Sequence, residues 1–333
     1  MVNVLYAERM YDNDTVEREV FGPGASIVMR DAATLSDLSQ ADRDNVEGLM
    51  IFRLWAPGVE LAKFPKLRAV VRMGVGYDRV DRAWCADHNV LVCNVPDYGT
   101  MEVADHAMSL ILSLCRGIIL HHEAQRRAVP APWTQMESPM IRRLSKQRLG
   151  IIGLGRIGTA VALRAKAFGF DVVFFDPLRP NGADLALGIR RAPTLDELLA
   201  QSDVLSIHAP QTPETIGMIG ARELALLPKG AVVVNTARGL IIEIDALEAA
   251  MRSGQVSAAG LDVIPVEPPV DPIPGLLRAY RNREEWQEGR LIITPHSAFH
   301  TPHAWDDIRR KSAETMAAAL SNAPQNVIAP NSY

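Results

Sequence analysis

The chain has 333 residues, 48% of them apolar and 22% charged, with a formal net charge of -4. That length can bury enough surface for two domains, and without a basic excess neither nucleic acid nor an anionic membrane is expected as a direct partner. No apolar run approaches the roughly 20 residues of a membrane helix, and "MVNVLYAERMYDND" lacks the basic-then-apolar pattern of a secretory leader, so a soluble cytoplasmic protein is expected.

From the N-terminus, "NVLYA", "SIVM", "GLMIFRL", "LRAVVRM" and "VLVCNV" are short runs rich in apolar and β-branched residues. They are too continuously apolar for a sheet with one wet face and predict parallel strands covered on both sides. In "RMGVGYDRVD", Gly74 and Gly76 can bring backbone N–H groups up to a small anion, and Arg72 just before them could add a forked charge. An ordinary strand-to-helix turn is the competing reading. Arg79, in place of a third glycine, argues against a dinucleotide turn there. Cys85, Cys93 and Cys115 cannot all pair and form no CxxC, so reduced core cysteines are expected.

The turn-rich "NVPDYGT" marks a boundary. The stretch after it, "MEVADHAMSLILSLCRGIILHHEAQRRA", predicts one long helix with too many apolar residues for a single exposed face. Such a helix belongs between domains or against another subunit. Its histidines, His106, His121 and His122, read as structural for want of partners.

"LGIIGLGRIGTAVALRAKAFGFDVVFFDP" follows with Gly153, Gly155 and Gly158 between a strand-like and a helix-like run. The first glycine permits a tight turn, the second lets a pyrophosphate reach the backbone, and the third lets helix and strand pack closely. Arg156 and Ile157 fall in the first helical turn, whose free N–H groups and partial positive charge suit a diphosphate. Ile157, Val161, Ala165 and Phe168 predict the helix's apolar stripe. Asp176 ends the next strand, where it can accept from ribose hydroxyls and would repel a 2′-phosphate by roughly 1–4 kcal/mol at ~4 Å. NAD is therefore expected rather than NADP, with Arg179 keeping the second cofactor open.

Further along, "TLDELLAQS" predicts a helix with Thr194 as N-cap and Glu197 completing a capping box. "DVLSIH", "GAVVVNT", "SAAGLDV" and "LIITPH" continue the strand series, so the chain reads as α/β with two doubly wound parallel sheets. The charged "RAYRNREEWQEGR" reads as a solvated helix or loop. The last helical stretch, "DDIRRKSAETMAAAL", has no strand after it and could pack back on the first unit, making that unit discontinuous.

Ligands of open α/β sheets sit beyond the carboxyl ends of the strands. Arg238, Asp262 with Glu267 five residues on, and His296 occupy such ends. An Arg to grip a carboxylate, a His to exchange a proton and a Glu to favour the imidazolium suit hydride transfer coupled to proton transfer on a 2-oxo acid. A metal site is the rival, since His296 and His300 are four apart, but Pro295 and Pro302 argue against a continuous helix there, so no metal is expected. His300 and His303 are then bystanders.

The series "VRMGVGYDRVD", "NVPDYGTMEVADHA", "GIIGLGRIG", "HAPQTPET", "NTARG", "GLDVIPVEPP" and "TPHSAF" resembles, in order and over nearly the whole length, the D-isomer-specific 2-hydroxyacid dehydrogenase family. The branch most similar is that of the C-terminal binding proteins. The resemblance implies a Rossmann NAD-binding domain, residues 100–301, inserted in a flavodoxin-like catalytic domain formed by residues 1–99 and 302–333. It implies that Arg238, Glu267 and His296 are catalytic, His296 also bordering the cofactor, and that Asp262 holds the nicotinamide carboxamide. His208, Ala209, Pro210 and Thr215 would line the adenosine side of the cofactor, and Thr236 and Ala237 its nicotinamide side. Val75 and Gly76 would present N–H groups to the substrate carboxylate, with Arg72, Arg238 and Phe299 as further substrate contacts. A homodimer paired through the cofactor domains is implied as well. The chain departs from the family at Arg79, where Asn is common, at Glu243, where Asp is usual, and at Phe299, where corepressor-type members carry Trp. A nucleotide sensor with vestigial catalysis, in the manner of the corepressors, is the alternative function.

Overall fold

The structure, a computed structural model, describes residues 2–127 and 133–329. The chain divides into two units: residues up to Gly99 joined by those from His300 onward, and Thr100–Phe299.

In the first unit, β1 (Asn3–Tyr6), β2 (Ser26–Met29), β3 (Gly48–Ile51), β4 (Ala69–Arg72) and β5 (Leu91–Asn94) form one parallel sheet in the order β2-β1-β3-β4-β5. That order is the flavodoxin-like one. Every residue of β3 and β4 is buried, which is why these runs carry no polar alternation. The helix Pro302–Leu320 covers the sheet so closely that a Cβ on Gly48 would lie 2.5 Å from Met316 Sδ. Its start is set by Thr301, whose hydroxyl accepts the Ala304 N–H at 3.0 Å, and by Pro302, which needs no donor at the first helical position. Arg309 on this helix pairs with the fully buried Glu17 at 2.6 Å and so ties the chain's two ends.

In the second unit, β6 (Arg148–Ile152), β7 (Asp171–Phe175), β8 (Arg190–Arg191), β9 (Val204–Ile207), β10 (Ala231–Asn235), β11 (Val256–Leu261) and β12 (Leu291–Ile293) form a parallel sheet. The order is β12-β11-β10-β9-β6-β7-β8, a Rossmann arrangement that reverses between β6 and β9. The two doubly wound α/β sheets are those expected from the strand runs, apart from β8, a two-residue edge strand that no run marks.

Four local expectations change. The long helix is two, Thr100–Cys115 and Ile118–Arg127, bent by 60°. Gly117, at φ 62° and packed where a Cβ would meet Ile141 Cδ1 at 2.5 Å, makes the break. The first helix buries eight side chains and the second none, so the apolar surplus belongs to the first alone. Among the described residues no single helix is long and apolar enough to cross a membrane. Phe168 is the C-cap residue of its helix and is exposed, because the apolar stripe ends one turn earlier at Ala165. Thr194 caps as expected, but Glu197 accepts from the Thr194 hydroxyl at 3.1 Å, so no reciprocal box forms. The charged segment from Arg278 to Arg290 is solvated at its start, where Arg278 and Tyr280 to Arg283 are exposed, but docked at its end. Gln287 is buried, and Arg290 donates to the carbonyls of Met251, Val256, Ser257 and Trp286.

Cys85, Cys93 and Cys115 are free and buried, and burial pushes their thiols up to about 12, 11 and 12. Such thiols are inert.

Candidate active site

The dinucleotide turn lies at the carboxyl end of β6, beside the reversal in strand order. Gly153 has φ 85° and is squeezed against the residues that follow β9, where a Cβ would lie 2.9 Å from the His208 carbonyl. Gly158 faces the turn itself, where a Cβ would lie 2.0 Å from Gly153 O. Gly155 differs: a Cβ there would meet nothing nearer than Arg179 Nη2, at 4.0 Å. Two glycines therefore serve packing and the middle one keeps space open. The helix Arg156–Ala167 starts at Gly155 without a side-chain cap or an acidic residue in its first turn, so the N–H groups around Arg156 and Ile157 remain suited to an anion. Asp176 stands two residues from Leu178, whose N–H it accepts at 2.9 Å; its other oxygen accepts the Leu154 N–H at 2.8 Å. Arg179 is 3.8 Å away from the same carboxylate. These residues fit the diphosphate and ribose of a dinucleotide.

Beyond β9, His208 Nε2 pairs with Ser206 Oγ at 2.8 Å, and burial pushes the imidazole down to about 4. The loop from Ala209 and Pro210 is closed by Thr215, whose hydroxyl donates to Pro210 O at 2.7 Å and accepts the Thr212 N–H at 2.8 Å. Thr236, after β10, has a buried hydroxyl with no hydrogen-bond partner among the described residues. A buried orphan of this kind fits a ligand that completes it.

Arg238 is set by a turn that Asn235 fastens from both sides. The Asn235 amide donates to Arg238 O at 2.9 Å, and its carbonyl accepts the Ala237 N–H at 3.0 Å. Gly239 lies so close to the loop after β11 that a Cβ would fall 2.0 Å from the Ile264 carbonyl carbon. That contact brings the Arg238 turn against the segment that leads to Glu267.

Glu267 and His296 meet directly, Nδ1 to Oε2 at 2.6 Å. The other Glu267 oxygen accepts the Ile264 N–H at 3.0 Å. Burial pushes the Glu267 carboxyl up, but the His296 hydrogen bond and charge, the Ile264 N–H and the Arg238 guanidinium outweigh it and hold the carboxyl below its ordinary value.

His296 has φ 52°, a left-handed conformation that costs a non-glycine residue about 1–2 kcal/mol. Asp262 holds it there. Its carbonyl accepts the His296 N–H at 2.8 Å, while its buried carboxylate accepts Ser297 N–H at 2.9 Å, Ala298 N–H at 3.0 Å and the Thr294 hydroxyl at 2.6 Å. A carboxylate offers about four acceptor sites, so about one remains for a ligand N–H. Because Thr294 donates to Asp262, it accepts from His106 Nε2, 3.0 Å away. His106, read from sequence as lacking partners, therefore reaches the loop that carries His296. No local pattern marks a contact between residues 188 apart. His121 is structural: its ring pairs with Gly117 O and accepts the Met136 N–H.

His296 and His300 lie before the helix that begins at Pro302, so they lack the helical spacing of a ligand pair. Among the described residues no three His, Cys, Asp or Glu side chains gather as a metal site.

In the first unit, the Val75 carbonyl accepts from Asn94 Nδ2 at 2.6 Å. In a trans peptide this aims the Gly76 N–H the opposite way. Arg72, at the end of β4, is buried and lies against Gly74, where a Cβ would fall 1.7 Å from its Nη1. Arg79 donates to Arg53 O at 2.6 Å and so ties the loop after β4 to the loop after β3. Phe299 is half-buried.

Residues 108–298 match the family model described as D-isomer specific 2-hydroxyacid dehydrogenase, NAD binding domain. The chain is 31% identical over 322 residues to C-terminal-binding protein 1 of Caenorhabditis elegans, covering 94% of this chain but 43% of that protein. Thus it spans less than half of that relative's length. It is 35% identical over 272 residues to glyoxylate reductase of Korarchaeum cryptofilum, covering 80% of this chain and 76% of that one. Among solved structures, D-lactate dehydrogenase of Aquifex aeolicus, complexed with NAD and lactic acid, superposes with a TM-score of 0.81 at 27% identity over 96% of each chain.

Proposed function

Since this chain belongs to the D-isomer-specific 2-hydroxyacid dehydrogenase family, we propose that it reduces a 2-oxo acid to the D-2-hydroxy acid with NADH, and runs the reverse with NAD. The observation that carries this reading is the 2.6 Å pairing of His296 Nδ1 with Glu267, whose loop the Arg238 turn touches.

Bound nicotinamide supplies the hydride in reduction and takes it in oxidation. Glu267 occupies Nδ1, which leaves Nε2 as the atom that exchanges a proton with substrate. In reduction, the Nε2 proton goes to the carbonyl oxygen as hydride reaches the carbonyl carbon; in oxidation the hydroxyl proton returns to Nε2. Arg238 receives the substrate carboxylate with its forked donors and stabilises charge on the adjacent oxygen. Arg72 is the candidate substrate contact of the first unit. NAD is preferred because Asp176, fixed by the Leu154 N–H, faces a 2′-phosphate with repulsion of roughly 1–4 kcal/mol at ~4 Å.

The test is NADH oxidation with glyoxylate, hydroxypyruvate, pyruvate and phenylpyruvate, alongside NADPH. Turnover with at least one acid is expected, and His296→Ala should lower kcat by about 10²–10⁴ while NADH affinity is kept. Tight NADH binding without turnover of any acid would favour the sensor instead. Unchanged kcat in His296→Ala would remove His296 from the mechanism.

A further inference from the structure

Beyond the carboxyl end of β3, three consecutive backbone N–H groups converge on one side chain. Phe52 donates to Glu8 Oε2 at 2.6 Å, Arg53 to Oε1 and Oε2 at 2.8 and 2.9 Å, and Leu54 to Oε2 at 3.2 Å. Successive N–H groups aimed at one point form a concavity suited to an anion. Here the chain fills it with its own carboxylate, carried two residues past β1 on the neighbouring strand.

What the cradle holds still is Phe52. Its ring is buried, with Arg72 Cζ 5.6 Å from its centroid and Arg53 Cζ 5.4 Å away. The Trp305 ring meets it nearly at right angles, 86°, with centroids 5.7 Å apart. A guanidinium within about 6 Å of an aromatic face is attracted to it, the more so when desolvated, and Arg72 is 7% exposed.

We infer that Glu8 and Phe52 are positioning residues for Arg72. The Glu8 carboxylate fixes the Phe52 backbone, the perpendicular Trp305 ring keeps the Phe52 ring from turning, and the Phe52 face sets the direction of the Arg72 guanidinium. Nothing in the sequence motifs marks Glu8, which lies 44 residues before the nearest of its donors. For catalysis the inference rests on reading Arg72 as a contact of the 2-oxo acid; the cradle and the stack do not depend on it.

Four variants test it: Glu8→Ala, Glu8→Gln, Phe52→Leu and Phe52→Tyr. In Glu8→Ala the emptied cradle should take up formate, so that sodium formate raises the Tm of this variant more than that of the parent, against matched chloride. Equal shifts would overturn the cradle. Should Glu8→Ala not fold, Glu8→Gln takes its place in the labelling and kinetic arms, with one acceptor oxygen kept and a smaller effect. Labelling of Arg72 by phenylglyoxal, mapped by peptide mass, should be about tenfold faster in Phe52→Leu and slow again in Phe52→Tyr, which keeps the aromatic face. Equal labelling in all would overturn the stack. With turnover established, KM for the 2-oxo acid should rise about tenfold in Phe52→Leu with NADH affinity unchanged. If labelling responds and KM does not, the positioning stands and the substrate role of Arg72 falls. If the parent turns over no acid at all, the proposed function fails while the formate and labelling arms still read the inference.

Discussion

Replacing Gly155 or Gly158 by alanine separates the two tasks of the dinucleotide turn. At Gly158 the new methyl would lie 2.0 Å from Gly153 O, a backbone atom that cannot swing aside. Carbon and oxygen need roughly 3.2 Å or more, so helix and turn must part by about 1 Å, a strain of the kind that costs about 1–3 kcal/mol. At Gly155 the methyl meets only the far end of Arg179, at 4.0 Å, so the fold should accept it. The space it fills is the approach to the N–H groups of the first helical turn. Losing one or two charge-assisted hydrogen bonds there should weaken NADH by roughly 10–100-fold. Fluorescence titration with NADH and urea unfolding read the two effects separately. Gly158→Ala should lose stability and affinity together, and Gly155→Ala affinity alone. A Gly155→Ala protein that binds NADH as tightly as the parent would refute the assignment of this turn to the diphosphate.

The loop that carries His296 should depend on the Thr294 hydroxyl. Thr294→Val keeps the shape but removes the donor to Asp262 and the acceptor for His106, and should lower kcat about tenfold with NADH affinity kept; Thr294→Ser should restore it, and failure of that rescue would assign the loss to packing. His208 makes stability depend on pH. Its folded value, about 4, lies below the ordinary 6.5, so on acidification the unfolded chain binds a proton first and stability falls between those values, by up to about 2–3 kcal/mol. Urea unfolding at pH 7.5 and 4.5 should show a smaller loss in His208→Gln, and equal losses would mean that the imidazole stays accessible to protons.

The strands could be read directly because a parallel strand covered on both faces has no polar alternation to obscure it, as in β4 and β10. The turn glycines were legible for a similar reason, since each needs a specific backbone approach at a fixed spacing. The helix break at Gly117 was not, because a glycine inside an apolar helical run signals a break only when something such as Ile141 packs into its missing side chain. The Glu267–His296 pairing was anticipated from residue types at strand ends. The partners that hold it were invisible, as Asp262, Thr294 and His106 meet only once β11, β12 and the Thr100–Cys115 helix are assembled. Glu8 is illegible for the same cause. Its significance lies in three backbone groups, and backbone groups carry no letter in a sequence.

The strand order of the second unit works as a ruler. Asp176 follows β7, the glycine turn β6, His208 β9, Arg238 β10, Glu267 β11 and His296 β12, so neighbours in this row occupy neighbouring strands. With about 4.8 Å per strand, the five steps from β7 to β12 come to about 24 Å, so on the proposed function the nucleotide tail would be recognised far from where the proton moves. On that proposal, alterations near Asp176 and Arg179 would change which nucleotide enters without disturbing the proposed acid–base pair, and substrate preference could drift without rebuilding the nucleotide's seat.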